Sequence, residues 1–233
     1  MKIISEIHPQ HGGNIAVASE MIRQSALNGA DMVKFQWYTD GLKLLGKDYS
    51  DLELSLDDCK HLMRIAEFNN IELFFSIFDE NAFNLNKDLG IKKIKIASRT
   101  VQDTELCKKI IDYADEVYIS LGMWDKKNLP FGIDDKIKYF FCIAKYPTYH
   151  YDVSKIPKEF NKNSFEGFSD HTLGIDMCML AASRGASLIE KHFSLDKTNQ
   201  KDRQLAHACS MNAEELNELS NFGKRLFKSN KFF

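Results

Sequence analysis

Short apolar runs alternate with amphipathic stretches along most of the chain. Most of these runs are apolar on both faces, which is typical of parallel strands lying between a packed interior and a layer of helices. The pattern predicts eight strands, at Lys2–Ile7, Asp31–Trp37, Glu72–Phe78, Lys92–Ser98, Glu116–Gly122, Lys138–Ala144, Glu166–His171 and Ser187–Phe193.

The stretches between the runs repeat their apolar residues at helical spacing. In the first stretch Ile15, Ala18 and Ile22 fall on one face, and Asn28-Gly29 is a typical helix end. The pattern predicts helices at Asn14–Asn28, Leu56–Asn69, Glu80–Leu89, Val101–Tyr113, Ile175–Arg184 and Ala213–Lys228.

Two of these helices begin with capping signals. Ser55 followed by Asp58 is a candidate cap for the second helix. Asn212 is the candidate cap of the last helix, with acidic residues in its first turn. The predicted buried face of the last helix consists of Leu216, Leu219, Phe222, Gly223 and Leu226.

Strand and helix alternate throughout, which predicts an α/β fold of the (β/α)₈ TIM-barrel type. A barrel of this kind usually needs about 250 residues and has a floor near 200. At 233 residues the chain predicts a trimmed barrel, a single domain over 1–233, although this length would also fit two small domains. The segment Lys126–Asp135, between the fifth and sixth strands, reads as a loop.

Composition narrows the classes of function. The formal net charge is −2, which gives no strong field for nucleic acid or an anionic membrane. The sequence has no apolar run of about 20 residues and no secretion-signal pattern. The five cysteines are scattered and form no CxxC pair. We therefore expect a cytoplasmic protein with reduced thiols, mostly in its core.

Two histidines lie at the ends of neighbouring predicted strands. His171 and His192 follow parallel strands joined by a crossover helix, so both lie on the same rim. Two neutral imidazoles that converge there form a plausible half of a metal site. The alternative is that each histidine caps its own strand through a backbone carbonyl, and the residues leave the two interpretations about even.

Two lysines are predicted to point into the barrel. Lys34 and Lys95 alternate with apolar neighbours, and a buried lysine costs several kcal/mol unless it is paired. With inward serines nearby they predict a phosphate or carboxylate site. The alternative is neutralisation by Glu6 and Glu190. An inward lysine can also form a Schiff base, as in class I aldolases.

The same residues occur in motifs that resemble those of the sialic acid synthases, phosphoenolpyruvate-condensing enzymes that make N-acetylneuraminate, legionaminate and pseudaminate. The resemblance runs in order through nearly the whole chain, and its last two motifs are the most specific. The matching segments include Gln10-His-Gly-Gly13, Gly29-Ala-Asp-Met-Val-Lys-Phe-Gln36, Ile94-Lys-Ile-Ala-Ser98, Gly167-Phe-Ser-Asp-His-Thr-Leu-Gly174 and Gly185-Ala-Ser-Leu-Ile-Glu-Lys-His-Phe193.

The resemblance implies a role for each matching position. It implies that His171 and His192 hold a divalent metal, Mn²⁺ or similar, and that Glu6, Lys34 and Tyr146 are catalytic. Phosphoenolpyruvate and an amino-sugar aldose are the implied substrates. The implied substrate-binding residues are Ser76, Lys95, Ser98, Ser120 and Ser169, with Lys34, for phosphoenolpyruvate, and Gln36, Asp202 and Tyr146 for the sugar.

The chain also departs from the family pattern. The family continues into an antifreeze-like C-terminal domain that contributes to the partner subunit's sugar pocket, and we expect this chain to lack it. The loop after the second strand is shortened, and Thr100 and Ala144 stand where the family has polar ligand-binding residues. These departures leave three alternatives open: a different acceptor, a homodimer or partner protein that completes the site, and a non-catalytic barrel. A class I aldolase that uses Lys34 or Lys95 is the competing enzyme class.

Overall fold

The computed structural model of the protein describes residues 1–41, 46, 49–198 and 206–230. Eight parallel strands form a closed barrel in sequence order, which confirms the predicted fold. Each strand lies within its predicted range or extends it by one residue. The strands are β1 (Lys2–Glu6), β2 (Met32–Trp37), β3 (Glu72–Ile77), β4 (Lys93–Ile96), β5 (Glu116–Ser120), β6 (Ile137–Cys142), β7 (Gly167–Asp170) and β8 (Leu188–His192).

Helices cover the outside of the barrel. The Asn14 side chain caps the first helix, and Ser55 and Asp58 form the predicted capping box of the second. Asn212 and Glu215 form another capping box, at the start of the last helix. The helices are α1 (Ile15–Leu27), α2 (Leu56–Phe68), α3 (Glu80–Asp88), α4 (Thr104–Tyr113), α5 (Asp176–Ser183), α6 (Ala213–Glu218) and α7 (Lys224–Ser229).

The last helix differs from its prediction. A π-helical turn, Leu219–Gly223, separates α6 from α7 and adds a residue to the turn. This rotates the following residues, so Phe222 is 53% exposed and Leu226 is 39% exposed, whereas Leu216, Leu219 and Gly223 are buried as predicted. The prediction that Phe222 and Leu226 are buried was wrong because it assumed an unbroken α-helical period.

The barrel interior has two layers of different chemistry. The lower layer is an apolar cluster formed by Ile4, Met32, Phe74, Tyr118, Phe140 and Leu188. Side chains two residues further along a strand point to the same side, one layer closer to the carboxyl ends. That second layer is mostly polar and consists of Glu6, Lys34, Ser76, Ser120, Cys142 and Glu190. The apolar layer closes the bottom of the barrel, so the polar layer opens only toward the carboxyl ends.

Two further features agree with the sequence. All five cysteines are buried and unpaired with one another. Among the described residues, no helix combines the length and the apolar character needed to cross a bilayer.

Candidate active site

A cavity of about 420 Å³ opens at the carboxyl ends of the strands. All the predicted site residues that the structure describes line it, whereas Asp202 lies outside the described residues. Ala144 also lines the cavity, and Thr100 is buried nearby. The predicted residues in the lining are Glu6, Lys34, Gln36, Ser76, Lys95, Ser98, Ser120, Tyr146, Ser169, His171 and His192.

Lys34 lies at the centre of the polar layer. In the strand register its position is beside Glu6, and its ammonium donates to the Glu6 carboxylate and, at 2.7 Å, to Ser76 Oγ. Glu190 Oε2 lies 4.0 Å from Lys34 Nζ. Lys34 is therefore neutralised by carboxylates, as the alternative interpretation expected, and Ser76 occupies a further donor.

Lys95 is less completely paired. Its Nζ is 3.1 Å from Glu190 Oε2, but the approach lacks hydrogen-bond geometry. Glu190 receives a hydrogen bond from Ser169 Oγ at 2.9 Å through its other oxygen. Among the described residues, Lys95 Nζ, Glu190 Oε2 and Ser120 Oγ are buried without a hydrogen-bond partner. Unpaired buried donors are costly, and a bound anion would satisfy Lys95 and Ser120.

The two carboxyl groups differ in protonation. Burial raises the pKa of Glu6 to about 7, although Lys34 opposes the rise. Burial alone would also raise the pKa of Glu190, but Lys34 and Lys95 beside it lower that pKa to about 2. Glu190 is therefore a permanent anion near neutral pH, whereas Glu6 can gain or lose a proton there. Groups that titrate near the working pH suit acid–base catalysis.

The two histidines converge at the mouth of the cavity. Their ring centroids are 5.6 Å apart. His171 Nδ1 lies 2.8 Å from the Ile143 carbonyl oxygen, and His192 Nδ1 lies 3.0 Å from Gln10 Oε1. Both acceptors require the proton on Nδ1, which leaves the Nε2 lone pairs available to a metal. The pair therefore offers two nitrogen donors to a divalent ion, although the described residues contain no group of three or more His, Cys, Asp or Glu that could hold one.

A second buried ion pair lies directly behind these histidines. Lys191 Nζ donates to Asp170 Oδ2 at 2.6 Å and to the Thr172 carbonyl oxygen at 2.7 Å. Asp170 also accepts from the Thr172 amide and hydroxyl and from the Cys178 thiol. Asp170 and Lys191 immediately precede His171 and His192 in the chain. The pair therefore ties the ends of β7 and β8 together and fixes the separation of the two imidazoles.

Tyr146 packs on the histidine pair. Its ring centroid is 4.1 Å from that of His171 and 5.9 Å from that of His192. The residue is 40% exposed, so it stands at the cavity entrance. Trp37 is fully buried in the core, as expected, whereas Tyr38 lines the cavity.

The sequence-based prediction missed several residues of the site. His8, Tyr38, Arg99 and Cys142 line the cavity, and Gln10 orients His192. The position of His8 two residues after the end of β1 was a signal, because catalytic residues of TIM barrels cluster at such ends. Tyr38 gave a weaker signal, because the aromatic pair Trp37-Tyr38 after the second strand could wall a pocket.

Comparison with known proteins identifies a family profile and several relatives that match this chain. The NeuB family profile matches residues 42–230. The chain is 31% identical to an N,N'-diacetyllegionaminic acid synthase of Legionella pneumophila over 250 residues, covering 93% of this chain and 69% of that protein. It is 27% identical to a pseudaminic acid synthase of Helicobacter pylori over 230 residues, covering 85% and 67%.

Solved structures agree with these relatives. The crystal structure of an N-acetylneuraminic acid synthetase from Leptospira borgpetersenii in complex with citrate superimposes with a TM-score of 0.81 at 26% identity, covering 97% of this chain and 83% of that one. The fold, the profile match and the relatives agree. The chain therefore belongs to the NeuB family, the family of the sialic acid synthases.

Proposed function

We propose that the protein condenses phosphoenolpyruvate with an amino-sugar aldose in a metal-dependent reaction. The products are a nonulosonic, sialic-acid-like acid and inorganic phosphate. The relatives named above make acids of this class. The observation that carries the proposal is the meeting, in one cavity, of unsatisfied cationic and hydroxyl donors with two correctly oriented imidazoles.

The inner part of the cavity suits the anionic substrate. Lys95 Nζ and Ser120 Oγ are buried donors without a hydrogen-bond partner, and Lys34 lies on the same layer. Ammonium and hydroxyl donors bind phosphate and carboxylate oxygens through charge-assisted hydrogen bonds. We assign these residues to phosphoenolpyruvate, with Ser76, Ser98 and Ser169 completing the donor set around it.

The outer part suits the aldose. Gln36 and Tyr146 line the cavity further from the apolar layer, and we assign them, with Asp202, to the sugar. His171 and His192 are the proposed ligands of a divalent ion such as Mn²⁺. Such an ion supplies Lewis-acid polarisation of an aldehyde oxygen when bound.

In the proposed reaction, lysines bind the anionic groups of the substrate and a carboxylate accepts a proton. C3 of phosphoenolpyruvate attacks the aldehyde carbon, whose oxygen takes up a proton and becomes a hydroxyl. Water adds at C2 and loses a proton, and the adduct collapses to a ketone as phosphate leaves with cleavage of the C–O bond. Lys34 and Lys95 hold the anionic groups in line during these steps. Glu6, with a pKa of about 7, takes the proton that the attacking water loses.

Phosphate release tests the proposal directly. The wild-type protein, supplied with Mn²⁺ and phosphoenolpyruvate, should release phosphate only when N-acetylmannosamine or a related aldose is added. Lys34→Ala and His171→Ala should abolish the release, whereas the surface variants Lys109→Ala and His150→Ala should retain it. Failure to release phosphate with any of a panel of aldoses would contradict the proposal.

One observation supports a second candidate function. Burial lowers the pKa of Lys95, although Glu190 opposes the effect, and a less protonated amine is a better nucleophile toward a carbonyl. A class I aldolase would form a Schiff base there with pyruvate. Borohydride reduction in the presence of pyruvate would then attach the ligand covalently to wild-type protein and not to Lys95→Met. Absence of an adduct would exclude this mechanism.

A further inference from the structure

A chain of hydrogen bonds enters the cavity from the loop after β1. The Gly13 amide donates to His11 Nδ1 at 3.1 Å. His11 Nε2 lies 3.0 Å from His8 Nδ1, and His8 Nε2 lies 3.2 Å from the Tyr38 hydroxyl. Both imidazoles and the tyrosine are buried, and His8 and Tyr38 line the cavity. We call these four groups the Tyr38 relay.

The direction of the relay follows from its first donor. A backbone amide can only donate, so His11 Nδ1 must be the acceptor and the proton of a neutral His11 is on Nε2. That N–H points at His8 Nδ1, which must also accept, so the proton of His8 is on Nε2. His8 in turn donates to the Tyr38 oxygen. The single proton of the Tyr38 hydroxyl is therefore not used by His8.

The ionisation states support this direction. Burial lowers the pKa of His11 to about 4, so this imidazole is neutral near pH 7. Burial raises the pKa of Tyr38, so its hydroxyl keeps its proton. All the hydrogen bonds of the relay therefore run in one direction, and the Tyr38 hydroxyl accepts from His8 and can donate its own proton.

The place of Tyr38 in the cavity indicates what it contacts. Lys34, Gln36 and Tyr38 follow one another at alternate positions on the same side of the chain, and all three line the cavity. At about 3.3 Å per residue, Tyr38 lies roughly 13 Å above Lys34 along the strand direction. Its ring packs edge-on against Phe78 in an apolar cluster with Leu52, away from the anion-binding layer.

We propose that the Tyr38 hydroxyl donates a hydrogen bond to an oxygen of the acceptor sugar and that His8 and His11 are positioning residues that fix its direction. The inference rests on the proposed function for the identity of the acceptor. The contact lies in a largely apolar wall, where a single directed donor discriminates strongly between an oxygen and its absence. The relay therefore determines which acceptor is bound rather than the chemistry of condensation.

Tyr38→Phe removes one hydroxyl and tests the contact. We expect the KM for the aldose to rise about five- to tenfold, with the KM for phosphoenolpyruvate and kcat changed less than twofold. Tyr151→Phe, a loss of the same hydroxyl on the exposed surface, should behave as wild type. An unchanged aldose KM in Tyr38→Phe would overturn the proposal.

The role of His8 is tested by coupling. His8→Leu should raise the aldose KM by a smaller factor, because the Tyr38 hydroxyl loses its orientation, and His8→Gln should recover part of the loss through its amide donor. The double variant with Tyr38→Phe should be no worse than Tyr38→Phe alone. Additive losses would contradict the relay.

Two measurements do not require turnover. Nitrogen-15 NMR of the imidazoles should report the Nε2–H tautomer for both His8 and His11, and an Nδ1–H tautomer of either would overturn the direction. If the wild type releases no phosphate, the proposed function fails, and calorimetric titration of N-acetylmannosamine still tests Tyr38. Weaker binding by Tyr38→Phe than by wild type would support the contact, and equal or absent binding would overturn it.

Discussion

Two clusters of buried ion pairs lie on opposite faces of strand β8. Glu190 and Lys191 are neighbours on β8, but Glu190 faces the cavity toward Lys34 and Lys95, whereas Lys191 faces outward and pairs with Asp170. In the outward pair Lys191 Nζ makes two hydrogen bonds, and both carboxylate oxygens of Asp170 accept hydrogen bonds, including those from the Thr172 amide and hydroxyl. In the cavity group, Lys95 Nζ and Glu190 Oε2 form an ion pair at 3.1 Å, but each lacks a hydrogen-bond partner.

The difference separates structural ion pairs from functional ones. A buried charge that is fully paired contributes to the native structure and has no capacity for a ligand. A buried charge that is incompletely paired destabilises the empty protein and is compensated when a ligand binds. Residue type alone does not distinguish these two cases.

The largest expected effect is on the outward pair. Lys191→Met leaves the Asp170 carboxylate buried without its partner and should lower the free energy of unfolding by about 3–5 kcal/mol. Lys109→Met, which breaks an exposed pair with Glu80, should leave the free energy of unfolding nearly unchanged. Urea denaturation of the two variants measures the difference. Equal losses of stability in the two variants would contradict the structural role of the Lys191–Asp170 pair.

In the cavity group, a substitution should reduce activity more than it reduces stability. Lys95→Met should lower the free energy of unfolding by less than Lys191→Met does, because Lys95 lacks hydrogen-bond geometry to Glu190 and that carboxylate keeps Lys34 at 4.0 Å and the hydrogen bond from Ser169. The same change should lower kcat/KM by about 10²-fold or more, since a cationic donor to the anionic substrate is lost. Kinetics and urea denaturation of one preparation give both values. A large loss of stability with modest loss of activity would assign Lys95 a structural role.

The third expected effect concerns pH. Burial raises the pKa of Glu6 from 4.5 to about 7, so between these pH values the folded protein holds a proton that the unfolded chain has released. Stability should therefore fall as pH rises through this window, by at most about 1.4 kcal/mol per pH unit. Glu6→Gln should flatten the slope. A slope that is unchanged in Glu6→Gln would assign the proton to another group.

Much of the barrel was predictable because the apolar pattern of each strand depends only on neighbouring residues in the sequence. Apolar runs fix the parallel strands, and alternation with apolar neighbours correctly turned Lys34 and Lys95 inward. Helix length could not be predicted across Leu219–Gly223, because a π turn leaves no trace in the apolar spacing of Phe222 and Leu226. Local patterns therefore predict an element and do not predict a defect within it.

The contacts between side chains of the site could not be predicted, because they join residues that are far apart in the sequence. Asp170 meets Lys191 because β7 and β8 pair in one particular register. His8 meets Tyr38 across 30 residues through the β1–β2 pairing, which juxtaposes the loops that follow. Such contacts depend on register and loop geometry. The ends of the predicted strands and the resemblance to a family both indicated His171 and His192, but neither indicated the Gln10 and Ile143 acceptors that orient them.

The central claim is that the cavity holds phosphoenolpyruvate for condensation with loss of phosphate by C–O cleavage. The most direct measurement uses phosphoenolpyruvate labelled with oxygen-18 in the oxygen that bridges carbon and phosphorus, with Mn²⁺ and an accepted aldose. We expect the label in the released phosphate, detected by mass spectrometry. Label retained in the organic product would mean P–O cleavage and would contradict the mechanism that we derive for Glu6, Lys34 and Lys95.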